Sequence, residues 1–132
     1  MSVEPDLKPP RRIVDPALMR ELADAGQSGR LPCLVCAERY TEPHHVRLKS
    51  QGGDDVEDNI VFLCKRCHGA YHGSPYVPES GFPARVDACW VRFRLARYLE
   101  SEKGQHVRAY LVGKMGRGAA DVYLKREFGI QS

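Results

Sequence analysis

The chain has 132 residues, 42% of them hydrophobic and 28% charged, which is enough for one domain or for a small module with appended helices. No apolar run approaches the ~18 residues of a membrane span and no apolar signal-peptide core is present, so we expect a cytoplasmic protein without a membrane segment. The net charge of +3 is uneven, with 0 over residues 1–31, −2 over 32–81 and +5 over 82–132. The basic last third fits attraction to a polyanion as well as it fits an ordinary solvated surface.

The N-terminal part divides into an arm and a helix. Residues 1–14 contain three prolines among alternating charges, and this composition predicts a flexible arm. Asp15 is a helix N-cap residue and Pro16 suits the first helical position, so a helix is predicted within residues 15–30, with Gly26 as its stop.

The rest of the chain is divided into a metal module at 31–73, a Pro- and Gly-rich linker at 74–85 and a basic helical extension at 86–132. An apolar stripe at helical spacing marks the first helix of the extension: Val86, Cys89, Trp90, Phe93 and Leu99. We interpret Cys89 in this stripe as a small buried apolar residue.

The other four cysteines form two Cys-x-x-Cys pairs, namely Cys33 with Cys36 and Cys64 with Cys67. This spacing lets both thiolates of a tight turn reach one ion, and two such turns complete a tetrahedral zinc shell. A reducing compartment favours zinc over disulfides for such pairs. We therefore predict a structural Zn²⁺ that stabilises a module too short to fold by apolar burial alone.

Between and after the cysteine pairs, the pattern predicts a strand, a loop, a second strand and a helix. Residues 41–47 have an extended pattern, 48–59 form a polar loop with a Gly-Gly turn, and 60–63 form a short apolar strand. A helix is predicted from Lys65 to His72. The metal module is thus expected to have a mixed α+β fold.

Four histidines form a second set within the same stretch. His68 and His72 are spaced i and i+4 on the predicted helix, so both side chains can address one point. His44 and His45 are neighbours on the predicted strand, where their side chains leave opposite faces. We therefore expect different roles for His44 and His45.

These residues resemble the HNH nucleases of the ββα-metal fold. The resemblance covers residues 32–72 and rests on the His-His pair, the Gly-Gly loop, the position of Asn59 fourteen residues after His45, His68 nine residues further on, and the flanking cysteine pairs. It implies a small ββα-metal core that is stapled by the four-cysteine zinc site, with the N-terminal helix and the C-terminal extension added to it.

The resemblance also implies a role for each matching residue. His45 corresponds to the general base that takes a proton from the attacking water. His44 and His68 correspond to ligands of a catalytic divalent ion, and His72 corresponds to a further helix ligand found in some members. Asn59 corresponds to the middle letter of the motif, which pins the loop and orients the base or, in some branches, approaches the metal.

The chemistry of phosphodiester hydrolysis agrees with these roles, because an imidazole base and one cation at the phosphate serve the nucleophile, the phosphorus and the leaving oxygen. Histidine ligands suit Mn²⁺, Ni²⁺, Co²⁺ or Zn²⁺, whereas Mg²⁺ prefers oxygen, so the active ion stays open among these five. Four basic residues flank the histidines and either contact phosphates or are ordinary surface charges: Arg47, Lys49, Lys65 and Arg66.

We therefore predict a metal-dependent HNH endonuclease that acts on DNA, with sequence preference left to the extension, the arm, a homodimer or a partner protein. By analogy with compact HNH proteins, its setting would be a bacterial or phage-infected cell. The alternatives are a non-catalytic zinc-ribbon module that binds nucleic acid or protein, and a nuclease subunit that is active only with a partner such as a phage packaging enzyme. The zinc-ribbon alternative does not need His44, His45, Asn59 and His68 together.

Overall fold

The structure is a computed structural model that describes residues 12–131. The predicted mixed fold is confirmed, with one two-stranded antiparallel sheet and a helical C-terminal region. The elements are α1 Pro16–Gln27, β1 Glu42–His45, β2 Ile60–Leu63, α2 Lys65–Tyr71, α3 Ala88–Glu100, α4 Gln105–Met115 and α5 Arg117–Phe128. Within the described residues, no helix is long and apolar enough to cross a membrane.

Helix α1 begins as predicted, because the Asp15 side chain accepts a hydrogen bond from the backbone N–H of Leu18 at 3.1 Å. The helix packs against β1 at its last turn. Gly26 is needed there, since a Cβ atom at this position would lie 2.2 Å from the carbonyl oxygen of Thr41. The N–H of Thr41 in turn donates to the carbonyl of Gly26 at 3.0 Å and fixes the helix on the strand.

The sheet pairs His44 with Val61 and His45 with Ile60. The loop between its strands folds back on itself at the Gly-Gly pair. Gly52 adopts a left-handed φ of 87°, and a Cβ atom on Gly53 would lie only 1.6 Å from the carbonyl oxygen of Arg47. Both glycines are thus required by the backbone path that brings the far end of the loop next to β1.

The C-terminal helices share one apolar core with the metal module. Helix α3 contacts α2, and the hydroxyl of Tyr123 on α5 donates to the carbonyl of Val46 at 2.7 Å. The buried residues of α3 are Val91, Leu95, Ala96 and Leu99. The predicted apolar stripe is therefore wrong in part. Val86 and Leu99 are buried, but Cys89 is exposed and Phe93 is 50% exposed. The reason is that α3 packs on its neighbours with a different face from the predicted one.

The predicted arm is described only at its end, since residues 1–11 lie outside the described part of the chain. Arg12 and Ile13 contact the loop that follows the Gly-Gly turn. The Arg12 guanidinium donates to the carbonyl of Gly53 at 2.8 Å, and the N–H of Ile13 donates to the Asp54 carboxylate at 2.6 Å. The segment just before α1 therefore forms part of the surroundings of β1.

Candidate functional site

The two Cys-x-x-Cys pairs converge on one point. The four sulfur atoms of Cys33, Cys36, Cys64 and Cys67 all lie within 4.8 Å of one another. The first pair sits on a tight turn in which the N–H of Ala37 donates to the carbonyl of Cys33 at 2.9 Å. The second pair is placed by the start of α2, where the Cys64 sulfur acts as N-cap and accepts from the N–H of Cys67 at 3.4 Å.

The electrostatics of this cluster favour a cation. Hydrogen bonds from the neighbouring thiols lower the pKa of Cys33 far below its usual range. The pKa values of Cys64 and Cys67 rise, first because of their hydrogen bonds with Cys33 and the other neighbouring thiols and then because of burial. A divalent ion compensates the negative charge of thiolates, so the four cysteines fit a closed tetrahedral site of the kind that binds zinc.

Three of the four motif histidines form a second cluster, separate from the cysteines. The ligating nitrogens of His44, His68 and His72 all lie within 4.8 Å of one another. Strand β1 supplies His44, α2 supplies His68, and the C-cap of α2 supplies His72, one turn from His68 as the i, i+4 spacing predicts. His72 caps the C-terminus of α2, with its N–H donating to the helix carbonyls, and its ring still belongs to the cluster.

The surroundings of His44 fit a metal ligand. Its side chain is 1% exposed, and within residues 12–131 its buried Nε2 atom has no hydrogen-bond partner. A buried polar atom without a partner is costly, and a bound cation would satisfy it. Burial and then the neighbouring rings of His68, His72 and His45 lower the pKa of His44 to about 3, which keeps the imidazole in the neutral form that binds metals.

A carboxylate stands behind a second member of the cluster. Nδ1 of His68 lies 2.6 Å from a carboxylate oxygen of Glu42. Because the carboxylate only accepts, this contact places the proton on Nδ1 and leaves the lone pair of Nε2 for a cation. The sequence contained a signal for this contact. Glu42 and His44 are two residues apart on one strand, so their side chains share the face of β1 that meets the other histidines of the cluster.

His45 lies on the opposite face of β1 and has a separate partner. Its Nε2 atom is 2.8 Å from Oδ1 of Asp55, and both side chains are buried. Burial outweighs the opposing hydrogen bond and charge of Asp55, so the pKa of His45 lies below its usual value. Asp55 was not identified from the sequence, because nothing in its position after the Gly-Gly turn shows which side chain it meets.

The Asp55 carboxyl is ionised although it is 4% exposed. Burial alone would raise its pKa, but hydrogen bonds from the N–H of Asp15 and from His45, together with the charge of Arg12, outweigh burial and lower the pKa. The N–H of Asp15 lies 2.9 Å from Oδ2, and the Arg12 guanidinium pairs with Oδ1. All three partners are donors, as an ionised carboxylate requires.

Asn59 is fully buried and ties the ends of the loop together. Its side-chain oxygen accepts from the N–H of Arg47 at 2.8 Å. Its amide nitrogen donates to the carbonyls of Arg47 and Asp54, both at 3.0 Å. Within residues 12–131, these three hydrogen bonds of the Asn59 side chain are all with the loop backbone, which agrees with the loop-pinning role that the resemblance implies.

The four basic residues named above do not form one surface. Lys49 lines the cavity at the histidine cluster, whereas Arg47 stacks over the ring of Tyr123 at 4.6 Å. Arg66 lies near the cysteine cluster, with its guanidinium 3.8 Å from the carboxylate of Glu38. Lys65 is exposed at the start of α2.

The histidines open into a cavity of about 580 Å³, lined by His44, His45, His68 and His72 together with Lys49 and Met19. A cavity of about 610 Å³ elsewhere is lined mainly by apolar side chains such as Leu22 and Phe62. We locate the site at the smaller cavity because it alone of these two holds a cluster of metal-ligating groups.

Fold and site together define a ββα-metal module with a closed four-sulfur cluster and an open three-imidazole cluster. Residues 33–74 match the family model described as HNH endonuclease. The resemblance inferred from the sequence is therefore confirmed over residues 33–74, where the family model matches, and this match supports a nuclease in general.

The chain is also similar to the Type IV methyl-directed restriction enzyme EcoKMcrA of Escherichia coli (strain K12), with 48% identity over 40 residues. This match covers 30% of the chain and 14% of the restriction enzyme, so the chain spans only a small part of that relative. The comparison with solved structures found no significant match. The α3–α5 extension lies outside the family match.

Proposed function

We propose that this protein is a metal-dependent endonuclease that hydrolyses phosphodiester bonds of DNA. The observation that carries the proposal is that two features line one cavity. One is a three-histidine cluster with a buried, unpartnered Nε2 atom on His44, and the other is a separate histidine, His45. An isolated binding module has no need for this combination. The HNH endonuclease match of residues 33–74 supports the same reaction class.

In the proposed reaction, His45 accepts a proton from the water that attacks the scissile phosphorus, and the bond from phosphorus to the 3′-oxygen breaks. Burial lowers the pKa of His45, so the imidazole is neutral and able to accept a proton at pH 7. Asn59 keeps the loop that follows β1 closed, and thereby holds the walls of the cavity in place.

His44, His68 and His72 are the residues that would hold a catalytic divalent ion. When bound, the ion supplies a Lewis acid at the phosphate oxygens and charge compensation for the leaving oxygen. A three-imidazole set suits Mn²⁺, Ni²⁺, Co²⁺ or Zn²⁺ better than Mg²⁺. Structural zinc at the four cysteines completes the proposed cofactors.

Contacts with DNA are assigned to the basic residues nearest the cavity. Lys49 lies at the cavity and is exposed, so it is placed to contact a phosphate next to the cut. Residues 82–132, which comprise the end of the linker and the extension, carry a net charge of +5, and this charge supplies long-range attraction without reading base edges. Arg47, Lys65 and Arg66 are weaker candidates because they do not line this cavity.

The proposal is tested by incubating supercoiled plasmid with the purified protein and Mg²⁺, Mn²⁺, Co²⁺ or Ni²⁺, beside an EDTA control and His45→Ala. We expect metal-dependent nicking or linearisation that falls by about 10²-fold or more in His45→Ala. The matched control is His106→Ala, because His106 is a histidine outside both clusters that pairs at the surface with Asp58. Zinc content should be unchanged in both variants; thermal unfolding should be unchanged in His106→Ala and still cooperative in His45→Ala, which loses a buried hydrogen bond.

Equal cleavage by His45→Ala and wild type would show that the active site is wrongly assigned to His45. Absence of cleavage with every metal, on duplex DNA, single-stranded DNA and RNA, would favour a zinc-ribbon binding module. Cleavage that appears only after a packaging or replication enzyme is added would instead identify a partner-dependent subunit. Cellular location and oligomeric state are further predictions, to be measured by fractionation of producing cells and by light scattering.

A further inference from the structure

Asp55 lies directly behind His45. It is not one of the motif residues, the histidines and the asparagine, that give the HNH family its name. Its Oδ1 atom is 2.8 Å from Nε2 of His45, and its side chain is 4% exposed. The contact is buried on both sides, since His45 is itself 7% exposed. A hydrogen bond that is shielded from water in this way restricts both the rotation and the tautomer of an imidazole.

The chemistry of the pair determines where the proton of His45 lies. An ionised carboxylate can only accept, so the nitrogen that faces it must carry a hydrogen. Nε2 of His45 is that nitrogen. The lone pair of the neutral ring is then on Nδ1, and this is the atom left to take a proton from water.

Asp55 is itself held in place by its backbone neighbours. The adjacent Asp54 carboxylate accepts from the hydroxyl of Tyr110 at 2.7 Å and from the ammonium of Lys114 at 2.9 Å, both on α4. The carbonyl of Asp54 accepts from the buried amide of Asn59. The loop therefore presents Asp55 from a fixed position, as a positioning residue requires.

We propose that Asp55 is a positioning residue for the nuclease reaction, which holds His45 in the tautomer with hydrogen on Nε2 and turns Nδ1 to the attacking water. This inference rests on the proposed role of His45 as the base. It goes beyond that role because it names the group that sets the orientation and the tautomer of the base.

A purely structural role for Asp55 is the competing explanation. The carboxylate also binds Arg12 and the N–H of Asp15, so it could serve only to attach the segment before α1. The two explanations differ in what the removal of one negative charge does to His45. Asp55→Asn keeps the size of the side chain but removes its charge, and an amide nitrogen in the place of Oδ1 donates to Nε2 and favours the wrong tautomer.

Asp55→Asn is compared with wild type and with two matched variants. Asp58→Asn makes the same change in an exposed carboxylate three residues away, and Arg12→Gln removes the other charged partner of Asp55 but leaves the carboxylate. We expect Asp55→Asn to lower kcat by about 10²-fold or more, with KM for plasmid and Kd for Mn²⁺ within about 3-fold of wild type. Asp58→Asn should keep full activity, and Arg12→Gln should retain most of kcat.

A second readout does not depend on cleavage. Two-bond ¹H–¹⁵N spectra of the zinc-loaded protein at about pH 8 report the tautomer of each histidine, and we expect His45 to change from Nε2–H in wild type to Nδ1–H in Asp55→Asn. Zinc content and the unfolding midpoint are measured on the same samples.

Two results would overturn the proposal. One is an unchanged His45 tautomer in Asp55→Asn. The other is a loss of kcat that Arg12→Gln reproduces in full, which would mean that Asp55 only attaches the preceding segment. If wild type cleaves nothing, the endonuclease proposal fails by itself, and the tautomer spectra still decide whether Asp55 sets the state of His45.

Discussion

The two metal-ligating clusters lie within 42 residues of sequence and share α2, yet they are built for different tasks. The cysteine cluster has four ligands, three of them buried, and leaves no position for another group. The histidine cluster has three ligands and opens into a cavity beside His45. Ligand count and access to solvent, more than ligand chemistry, separate a site that stabilises the fold from a site suited to a substrate.

The groups that contact the ligands from outside also differ between the two clusters. At the cysteines, the hydroxyl of Tyr76 lies 3.1 Å from the Cys67 sulfur, a neutral contact to an already negative cluster. At the histidines, a carboxylate oxygen of Glu42 lies 2.6 Å from Nδ1 of His68. A carboxylate behind an imidazole increases its strength as a ligand, whereas behind a thiolate it would add repulsion.

Removal of one cysteine should have the largest effect. We expect Cys67→Ala to lose its zinc and the cooperative unfolding of residues 33–74, because zinc binding contributes on the order of 10 kcal/mol to the folding of such modules. Metal analysis and thermal melts measure this. Cys89→Ser is the matched control, since Cys89 is exposed on α3, and it should change stability by less than about 0.5 kcal/mol. A folded, zinc-free Cys67→Ala protein would remove the distinction between the clusters.

Removal of a histidine ligand should abolish cleavage without unfolding the protein. We expect His44→Ala to weaken Mn²⁺ binding by more than the ~100-fold that is typical of an outer contact, while one zinc ion stays at the cysteines. Calorimetric titration with Mn²⁺ and metal analysis of the same sample test both halves of this prediction. Loss of the cysteine-bound zinc in His44→Ala would show that the two clusters depend on each other.

The smallest effect is expected at the carboxylate behind His68. Glu42→Gln keeps the size of the side chain but removes the negative charge, and we expect Mn²⁺ affinity to fall by about 10- to 100-fold. Cleavage should recover at saturating Mn²⁺, because the ligands themselves are unchanged. A lower kcat that excess metal does not restore would indicate that Glu42 acts in the reaction rather than on the ligand.

Local spacing was sufficient to predict the cysteine cluster, the pairing of His68 with His72 and the elements that carry them, whereas the family resemblance implied His44 as the third histidine ligand. The Cys-x-x-Cys turns, the i, i+4 pair His68 and His72, and the opposite faces of His44 and His45 all follow from rules that act over a few residues. The strand at residues 60–63 and the start of α1 were predicted for the same reason. Short-range geometry depends only on backbone periodicity, which the residue order contains in full.

Long-range contacts could not be predicted in this way. Asp55 meets His45 only because Gly53 and Asn59 fold the loop back on β1, and Arg12 reaches the same carboxylate across 43 residues of chain. The exposed side of α3 was mispredicted at Cys89, because its buried face depends on how α2, α4 and α5 pack around it. A single sequence states which side chains alternate along an element, but the partner that each side chain meets is set by packing between distant segments.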